Sequence, residues 1–478
     1  MTDSATRFAP IRSLAEGLLL ESGVASMALA VAQGGEIVWE DAVGWADRER
    51  RIPATPHTMY SLASISKPIT ATALMTLAEQ GKVDLDAPID DYLGDARVTA
   101  HVGEARDATL RRVASHSAGL PTHCQFFYAD EPRQRPPMGE TILRYAHLVY
   151  PPGDEYVYSN LGYGLLEHVI ERVSGLDLAD YLRREVFLPL GMLRASLDVG
   201  PGLEAYAARR YTASGLPLPA YTFDHPGASA VYCSAHDLLR FGLFHLKACL
   251  PDQRAILSDA SIDAMQQPVI ATGEHSGYGL GWGIHTDDRG FCAVSHGGGM
   301  GGVRTHLRLL PAEGIAVVAL TNGEASIHER VVAEILGLLL PEYARRHAER
   351  EAQPKETPGD SSAFDPPEEL VGQWEGYVHT YAGDLPLALD VRRDGNIHVR
   401  LGDDLETLLN EPDYEEGVLH GRMMGDLGTE DARGLGHLSF HLRMRAGRLE
   451  GSVTASRPPG PDQRARNALS HWVRLERA

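Results

Sequence analysis

Lysine is scarce in this 478-residue chain: it occurs only as Lys67, Lys82, Lys247 and Lys355. Lysine and arginine together number 44 against 65 aspartates and glutamates, a formal net charge of -21. A surface that acidic repels nucleic acid and anionic membranes, so neither is expected as a partner. Cysteine is also rare. Cys124, Cys233, Cys249 and Cys292 show no C-x-x-C spacing, which excludes a disulfide framework, a zinc ribbon and a thioredoxin-type site, and they read as reduced, buried thiols. No stretch approaches 18 consecutive apolar residues, so no membrane span is expected. The N-terminus, MTDSATRFAPIRSLAEGLLL, has an acid where a signal peptide has a basic region, and Glu16 breaks its apolar run. A cytoplasmic protein is the expectation. H-E-x-x-H, G-x-S-x-G and a Gly-Lys-Ser/Thr phosphate loop are all missing, which argues against a zincin, an α/β-hydrolase and a P-loop enzyme. No cofactor or metal is expected.

What is present reads as an ordinary globular chain, 43% hydrophobic and 23% charged. Residues 5–22 have a helical pattern. Residues 27–31 and 37–43 flank Gly34-Gly35 and read as a β-hairpin. Residues 64–81 read as a helix with Ile69, Leu74 and Leu77 on one face and Gly81 as its stop. A further amphipathic helix is expected over 235–248, and strands over 278–285, 303–310 and 315–321. A sheet built from both ends, with the middle helices packed on it, is the economical arrangement. Residues 349–367 are polar and rich in Pro, Gly and Ser, and read as a linker. Beyond them the apolar period becomes two: Leu385, Leu387, Leu389, Val391, then Leu438, Phe440, Leu442, Met444. That alternation predicts an antiparallel barrel or sandwich over 368–478. The expected division is therefore 1–348, a linker, and 368–478.

Three elements could carry chemistry. In Ser64-Ile65-Ser66-Lys67, Ser64 and Lys67 share one helix face, and Pro68 places them near the helix start. A lysine buried there loses proton affinity by desolvation and becomes a base for the serine. Tyr158-Ser159-Asn160 lies before a helix expected from Leu165; a phenol there can shuttle a proton and an amide can orient a substrate or hold the lysine. His296-Gly297-Gly298-Gly299 follows a strand-like run over 291–295. Glycines at that place let a substrate backbone approach a strand edge, and the N–H groups of Gly299 and Ser64 could form an oxyanion hole. Taken singly, a solvated lysine, a packed tyrosine and a flexible glycine loop account for these elements better; their order along the chain is what changes the reading. His116 reads as a structural histidine.

In this order the three elements resemble the serine β-lactamase and penicillin-binding-protein family, specifically its class C branch with its D-aminopeptidases and family VIII esterases. The similarity spans about residues 10–340 and includes YSLASISKPITATALMTLAEQGKVDLDAPIDDYL, PPGDEYVYSNLGYGLLEHVIERVSG and SHGGGMGGVRTHLRLLPAEGIAVVALTNG. The resemblance implies an α+β fold, an antiparallel sheet flanked by helices with a helical subdomain, followed here by a lipocalin-like antiparallel barrel. It implies Ser64 as nucleophile, Lys67 as its base partner, Tyr158 as proton shuttle, and Asn160, His296, Gly298 and Gly299 as substrate and oxyanion groups. One departure matters: the family's Lys-Thr-Gly is His296-Gly297-Gly298 here. A histidine is largely neutral at pH 7, so carboxylate-bearing substrates should be disfavoured. The expected activity is hydrolysis of an ester or amide of a small molecule or peptide through a Ser64 acyl-enzyme. An acyltransferase using the same intermediate and a non-catalytic ligand-binding module are the alternatives. A homo-oligomer is a further expectation. Because every motif precedes residue 305, the barrel is expected to shape substrate access and not the chemical step.

Overall fold

In the computed structural model, residues 4–287, 289–351, 364–457, 460 and 462–478 are described. A nine-stranded, wholly antiparallel sheet has the order Ile270–Gly273, Ser276–Tyr278, Gly283–Thr286, Cys292–Met300, Val303–Leu310, Ile315–Thr321, Ser26–Gln33, Glu36–Asp47, Ile52–Pro53. The two ends of the segment thus meet at its centre, where Met27 pairs with Thr321 and Gln33 with Ile315. The Ser26–Gln33 strand is apolar at nearly every position because both of its faces are covered. Met27, Leu29 and Val31 pack under the helices Ser4–Ser22 and His328–Leu339. Ala28, Ala30 and Ala32 face the opposite core, which holds the Ala235–His245 helix and the helical body. Two-sided burial produces a continuous hydrophobic run in place of alternation, and trimming Leu29 to alanine there would cost about 2–5 kcal/mol.

Two expected elements differ in detail. The run over 278–285 is two strands, interrupted by a turn whose Gly281 has φ +83° and lies against the backbone and Ala71 side chain of the 66–79 helix; a Cβ there would come within 2.8 Å of Ala71. The helix expected over 64–81 is a 3-10 turn, Ala63–Ile65, followed by the α-helix Ser66–Glu79. Of the four cysteines, Cys233 is buried and Cys124 half-buried, but Cys249 and Cys292 are exposed, contrary to the expectation of four buried thiols.

The C-terminal residues form a nearly closed antiparallel barrel. Its strand order is Thr407–Leu408, Ile397–Leu401, Gly383–Val391, Gly372–Thr380, Ala468–Arg477, Arg448–Ser456, Gly436–Arg445, Val418–Gly425, Asn410–Glu415. The two end strands are separated in sequence only by Leu409. Inward positions alternate as the period of two requires, and Trp374, Val378, Leu389, Phe440, Val453 and Val473 fill the interior. The expected linker lies outside the described residues over 352–363; before it the helix Pro341–Glu351 continues, and after it Phe364 packs on the barrel core.

The barrel is docked. His123–Cys124 from the first part of the chain pairs antiparallel with Ala468 and Leu469 of the barrel. Asp431, nearly buried, accepts hydrogen bonds from Tyr145 at 2.5 Å, Arg144 at 3.0 Å and Tyr381 at 3.1 Å, and pairs with Arg133. Among the described residues, no helix is long and apolar enough to cross a membrane.

Candidate active site

Ser64 sits in the tight turn at the mouth of the Ser66–Glu79 helix. Its predecessor, Ala63, has φ +49°, a left-handed conformation that costs a non-glycine residue about 1–3 kcal/mol and survives only where neighbours over-determine it. Those neighbours are identifiable. Leu62 N donates to Val231 O at 2.8 Å, Thr305 Oγ1 donates to Leu62 O at 2.9 Å, and Ser66 Oγ donates to Ala63 O at 2.7 Å. Ser66 Oγ also accepts from Val231 N at 3.0 Å. Ser66 is therefore buried and fully engaged, whereas Ser64 keeps solvent access.

Lys67 is fully buried one helical turn on. Its Nζ lies 2.7 Å from Asn160 Oδ1, 3.2 Å from the Ala228 carbonyl and 3.2 Å from Ser64 Oγ. Burial pushes its pKa well below the usual lysine range. A neutral amine has two N–H donors and one lone pair. Asn160 Oδ1 and Ala228 O can only accept, so they take the two donors, and the lone pair is left for the Ser64 hydroxyl.

Asn160 is the first residue of the helix Asn160–Ser174, which begins five residues before the expected Leu165 because Ser159 caps it, its side chain accepting from Gly162 N. Asn160 Nδ2 donates to His123 O at 2.9 Å, so the amide is oriented from both ends. Tyr158, on the loop before that cap, lies beside Ser64, whose hydroxyl tempers the rise of the phenol's pKa. Lys67 Nζ is 4.6 Å from the centre of its ring. Burial raises the Tyr158 pKa, so the phenol keeps its proton at neutral pH.

The residues 296–300, read from sequence as a glycine loop after a strand, continue the strand Cys292–Met300 instead, in register with Val303 to Leu307. The adjoining strand Gly283–Thr286 pairs only as far as Ser295. Among the described residues, the backbone of 296–300 thus presents an unpaired edge on that side. Gly298 is buried against the nucleophile turn; a Cβ there would lie 2.2 Å from both Leu62 O and Thr305 Oγ1. Gly299 is exposed beside it. His296 is buried, its Nδ1 donating to Gly297 O at 2.7 Å and its Nε2 accepting from the Tyr278 hydroxyl at 2.9 Å. A carbonyl can only accept, so the proton is on Nδ1 and the ring is neutral. Burial, with Lys67 nearby, lowers its pKa to about 3.

Every residue expected from sequence is therefore found in one neighbourhood, with three others that sequence did not offer. Tyr278 and the Ala228 carbonyl had no local signal. His116, read as structural, packs 4.3 Å from the Tyr158 ring and 4.8 Å from the Tyr278 ring. Its Nδ1 accepts from Ser159 N at 3.1 Å, while its buried Nε2 has no hydrogen-bond partner among the described residues. Its left-handed φ of +58° places it there. A cleft of about 470 Å³ opens between Tyr156, Tyr158, Tyr278, His285, His296 and Gly297.

The chain is similar to known proteins over both its sequence and its fold. Penicillin-binding protein 4 of Amycolatopsis lactamdurans is 29% identical over 356 residues, covering 70% of this chain and 92% of that one. The crystal structure of SurE superposes with a TM-score of 0.63 over 99% of this chain and 100% of that one, at 22% identity. The octameric penicillin-binding protein homologue from Pyrococcus abyssi gives 0.60 over 97% and 99%, also at 22% identity. Both structural matches span the barrel as well as the part of the chain that contains Ser64. The Beta-lactamase sequence profile matches residues 11–341, the stretch that contains every group described around Lys67, and the chain belongs to the β-lactamase family of serine hydrolases and penicillin-binding proteins.

Proposed function

We propose that the protein is a serine hydrolase that cleaves an ester or amide lacking a free carboxylate, through an acyl-enzyme on Ser64. The observation that carries this reading is the triple hydrogen bonding of Lys67 Nζ, which turns the lone pair of a neutral amine toward Ser64 Oγ. In the proposed reaction Ser64 Oγ attacks the substrate carbonyl and its proton passes to Lys67 Nζ. The oxyanion is held by the N–H groups of Ser64 and Gly299. Tyr158, still protonated, gives its proton to the leaving group and regains one from Lys67. Water then attacks the ester on Ser64 with the same groups acting in reverse.

The cleft flanking Tyr158 and His296 supports an uncharged group of the substrate on that side of the site, while Arg304 stands beside Gly299. Among the cleft's described lining residues there is no Lys, Arg, Asp or Glu, and three tyrosines form its wall. His296 offers neither a positive charge nor a spare donor. We assign this chemistry to residues 1–348, with 349–367 joining them to a barrel over 368–478. The octameric state in the name of the Pyrococcus homologue supports a homo-oligomer here, to be read from the size in solution.

The test pairs a serine-reactive fluorophosphonate with a panel of p-nitrophenyl esters, D- and L-amino acid amides and a chromogenic cephalosporin. The peptide containing Ser64 should gain the probe mass, and Ser64→Ala should lose on the order of 10⁴-fold or more in kcat. Esters or amides should turn over faster than the cephalosporin. Adding an amine acceptor separates hydrolysis from acyl transfer. Labelling at another serine, or no turnover of any member by a labelled enzyme, would refute the proposal.

A further inference from the structure

A second cluster of chemistry-bearing side chains lies where the barrel meets the first part of the chain and shares no residue with the Ser64 site. His101 follows the short strand Thr99–Ala100, and His147 opens the strand His147–Leu148, which pairs with it in parallel, Thr99 beside His147. His379 comes from the barrel strand Gly372–Thr380. One ring nitrogen from each of the three lies within 4.8 Å of the other two. His101 Nε2 and His147 Nδ1 are already 2.8 Å apart.

We propose that His101, His147 and His379 bind a divalent transition-metal ion of the zinc class, which ties the barrel to the catalytic body. Three features support a metal over a purely hydrogen-bonded cluster. The first is ligand state. His101 Nε2 and His147 Nδ1 share one hydrogen bond at 2.8 Å, so one of the two nitrogens accepts it through a ring lone pair, the form of imidazole that a metal binds. The second is orientation. His379 Nδ1 donates to Asp384 Oδ1 at 2.6 Å, which fixes the tautomer and leaves Nε2 free to ligate, the carboxylate–histidine arrangement that supports metal ligands. His101 is held by the Trp472 indole stacked on it, with ring centres 5.1 Å apart and planes 7° from parallel. The third is access. All three histidines are half-buried, so a fourth position remains for water.

Tetrahedral zinc–nitrogen bonds of about 2.0–2.1 Å need ligand nitrogens about 3.3 Å apart. The His101–His147 pair opens slightly to reach that spacing, and His379 moves inward by on the order of 1 Å. The other histidine-rich group, His123, Asp224 and His225, is different. There Asp224 already binds both imidazoles, at 2.7 and 2.5 Å, and all three residues are buried. That group is an internal hydrogen-bonded scaffold.

The test uses the full-length protein stripped with a chelator. Zinc chloride, titrated in a calorimeter, should bind once per chain with micromolar or tighter affinity, and saturating zinc should raise Tm by several degrees. Cobalt(II) should quench the Trp472 part of the fluorescence, and Trp472→Phe should abolish that quenching. His147→Ala and His379→Ala should each weaken zinc at least tenfold. Asp384→Asn, which keeps all three ligands, should weaken it about 10–100-fold, and it provides the readout if a histidine variant fails to fold. No zinc uptake by the wild type, or uptake unchanged in His379→Ala or in Asp384→Asn, would overturn the proposal.

Discussion

Replacing Gly298 by alanine tests whether the strand edge and the nucleophile turn are as close as described. The added Cβ would sit 2.2 Å from Leu62 O, 2.2 Å from Thr305 Oγ1 and 3.1 Å from Ala63 Cβ, and real Cβ contacts essentially never fall under 3.0 Å. Relief therefore needs a displacement of about 0.8 Å or more. It cannot come from a flexible side-chain tip, because Leu62 O is backbone and Thr305 is fully buried. The movement falls on the hydrogen bond from Thr305 Oγ1 to Leu62 O, which helps hold Ala63 in its strained conformation. Overpacking of this kind costs about 1–3 kcal/mol, and a misplacement near 1 Å of reacting groups costs about 10²-fold in rate. Gly298→Ala should thus lower kcat about 100-fold and Tm by a few degrees, with correspondingly slower fluorophosphonate labelling of Ser64. Gly297→Ala is the matched control: its nearest neighbours would be Thr305 O at 3.7 Å and His306 Nδ1 at 3.9 Å, ordinary contacts, so its kcat should stay within about twofold. Wild-type kcat and Tm in Gly298→Ala, or equal losses in both variants, would refute the close approach.

Lys67→Arg puts a permanent cation where the neutral amine stands and cannot accept the Ser64 proton, so it should cost about 10²–10⁴-fold in kcat/KM. In the wild type the acid limb of kcat/KM should lie well below the lysine range, because burial depresses the Lys67 pKa and the neutral form is the active one. His296→Lys should raise benzylpenicillin turnover relative to p-nitrophenyl acetate by about tenfold, the worth of one hydrogen bond to a charged group; an unchanged ratio would remove His296 as the selector. Buried His245, His306 and His471 have pKa values lowered to about 3 by desolvation. Between that value and the unfolded pKa of about 6.5 the unfolded chain binds more protons, so stability falls as pH falls through the window. At pH 5.5 each costs about 1.4 kcal/mol, and Tm against pH should drop steeply below pH 6.5, less so in His245→Gln.

The parts of the site legible in sequence were those set by local spacing. Ser64 and Lys67 are one helical turn apart, and that alone brings them to one face. The alternation after residue 368 announced strands because barrel interiors impose a period of two. What stayed hidden depends on long-range packing. Ala228 contributes only a carbonyl, which has no side-chain signature. Tyr278 reaches His296 across the strand pairing of Gly283 with Ser295. His116 seemed inert because its position depends on a left-handed backbone that no propensity scale favours outside glycine. The His296–Met300 glycines looked like a loop since glycine weakens strands, yet here the ladder with Val303 to Leu307 and the near contact at Leu62 hold them extended.

The barrel's attachment changes what its removal should do. Sequence order suggested that the barrel over 368–478 is dispensable for the chemical step. The structure gives a short physical route from the barrel to the base. Ala468 and Leu469 pair with Cys124 and His123, Ser470 Oγ donates to Thr122 O at 2.5 Å, and Asn467 Oδ1 accepts from Phe126 N at 2.9 Å. The His123 carbonyl held in this way accepts from Asn160 Nδ2, whose other end orients Lys67. A chain ending near residue 351 loses all of these bonds and frees the segment around His123 that aims the amide. We therefore expect truncation to lower kcat, not KM alone. A swinging Asn160 lets Lys67 Nζ rotate its lone pair away from Ser64, and misorientation of this sort costs roughly 10–100-fold. Removing the barrel also exposes Tyr145, Arg144 and Arg133, the partners of Asp431, so a milder perturbation is needed beside the deletion. Asn467→Ala and Ser470→Ala leave the barrel in place and loosen the strand, each with the loss of one hydrogen bond inside the barrel, to Asp431 O and to Thr454 Oγ1. Each should reduce kcat for a small ester severalfold with KM within about twofold. A truncated enzyme with wild-type kcat and altered KM would place the barrel at substrate entry only. Wild-type kcat in the truncated enzyme and in both point variants would show that the His123–Cys124 strand holds Asn160 without the barrel's help.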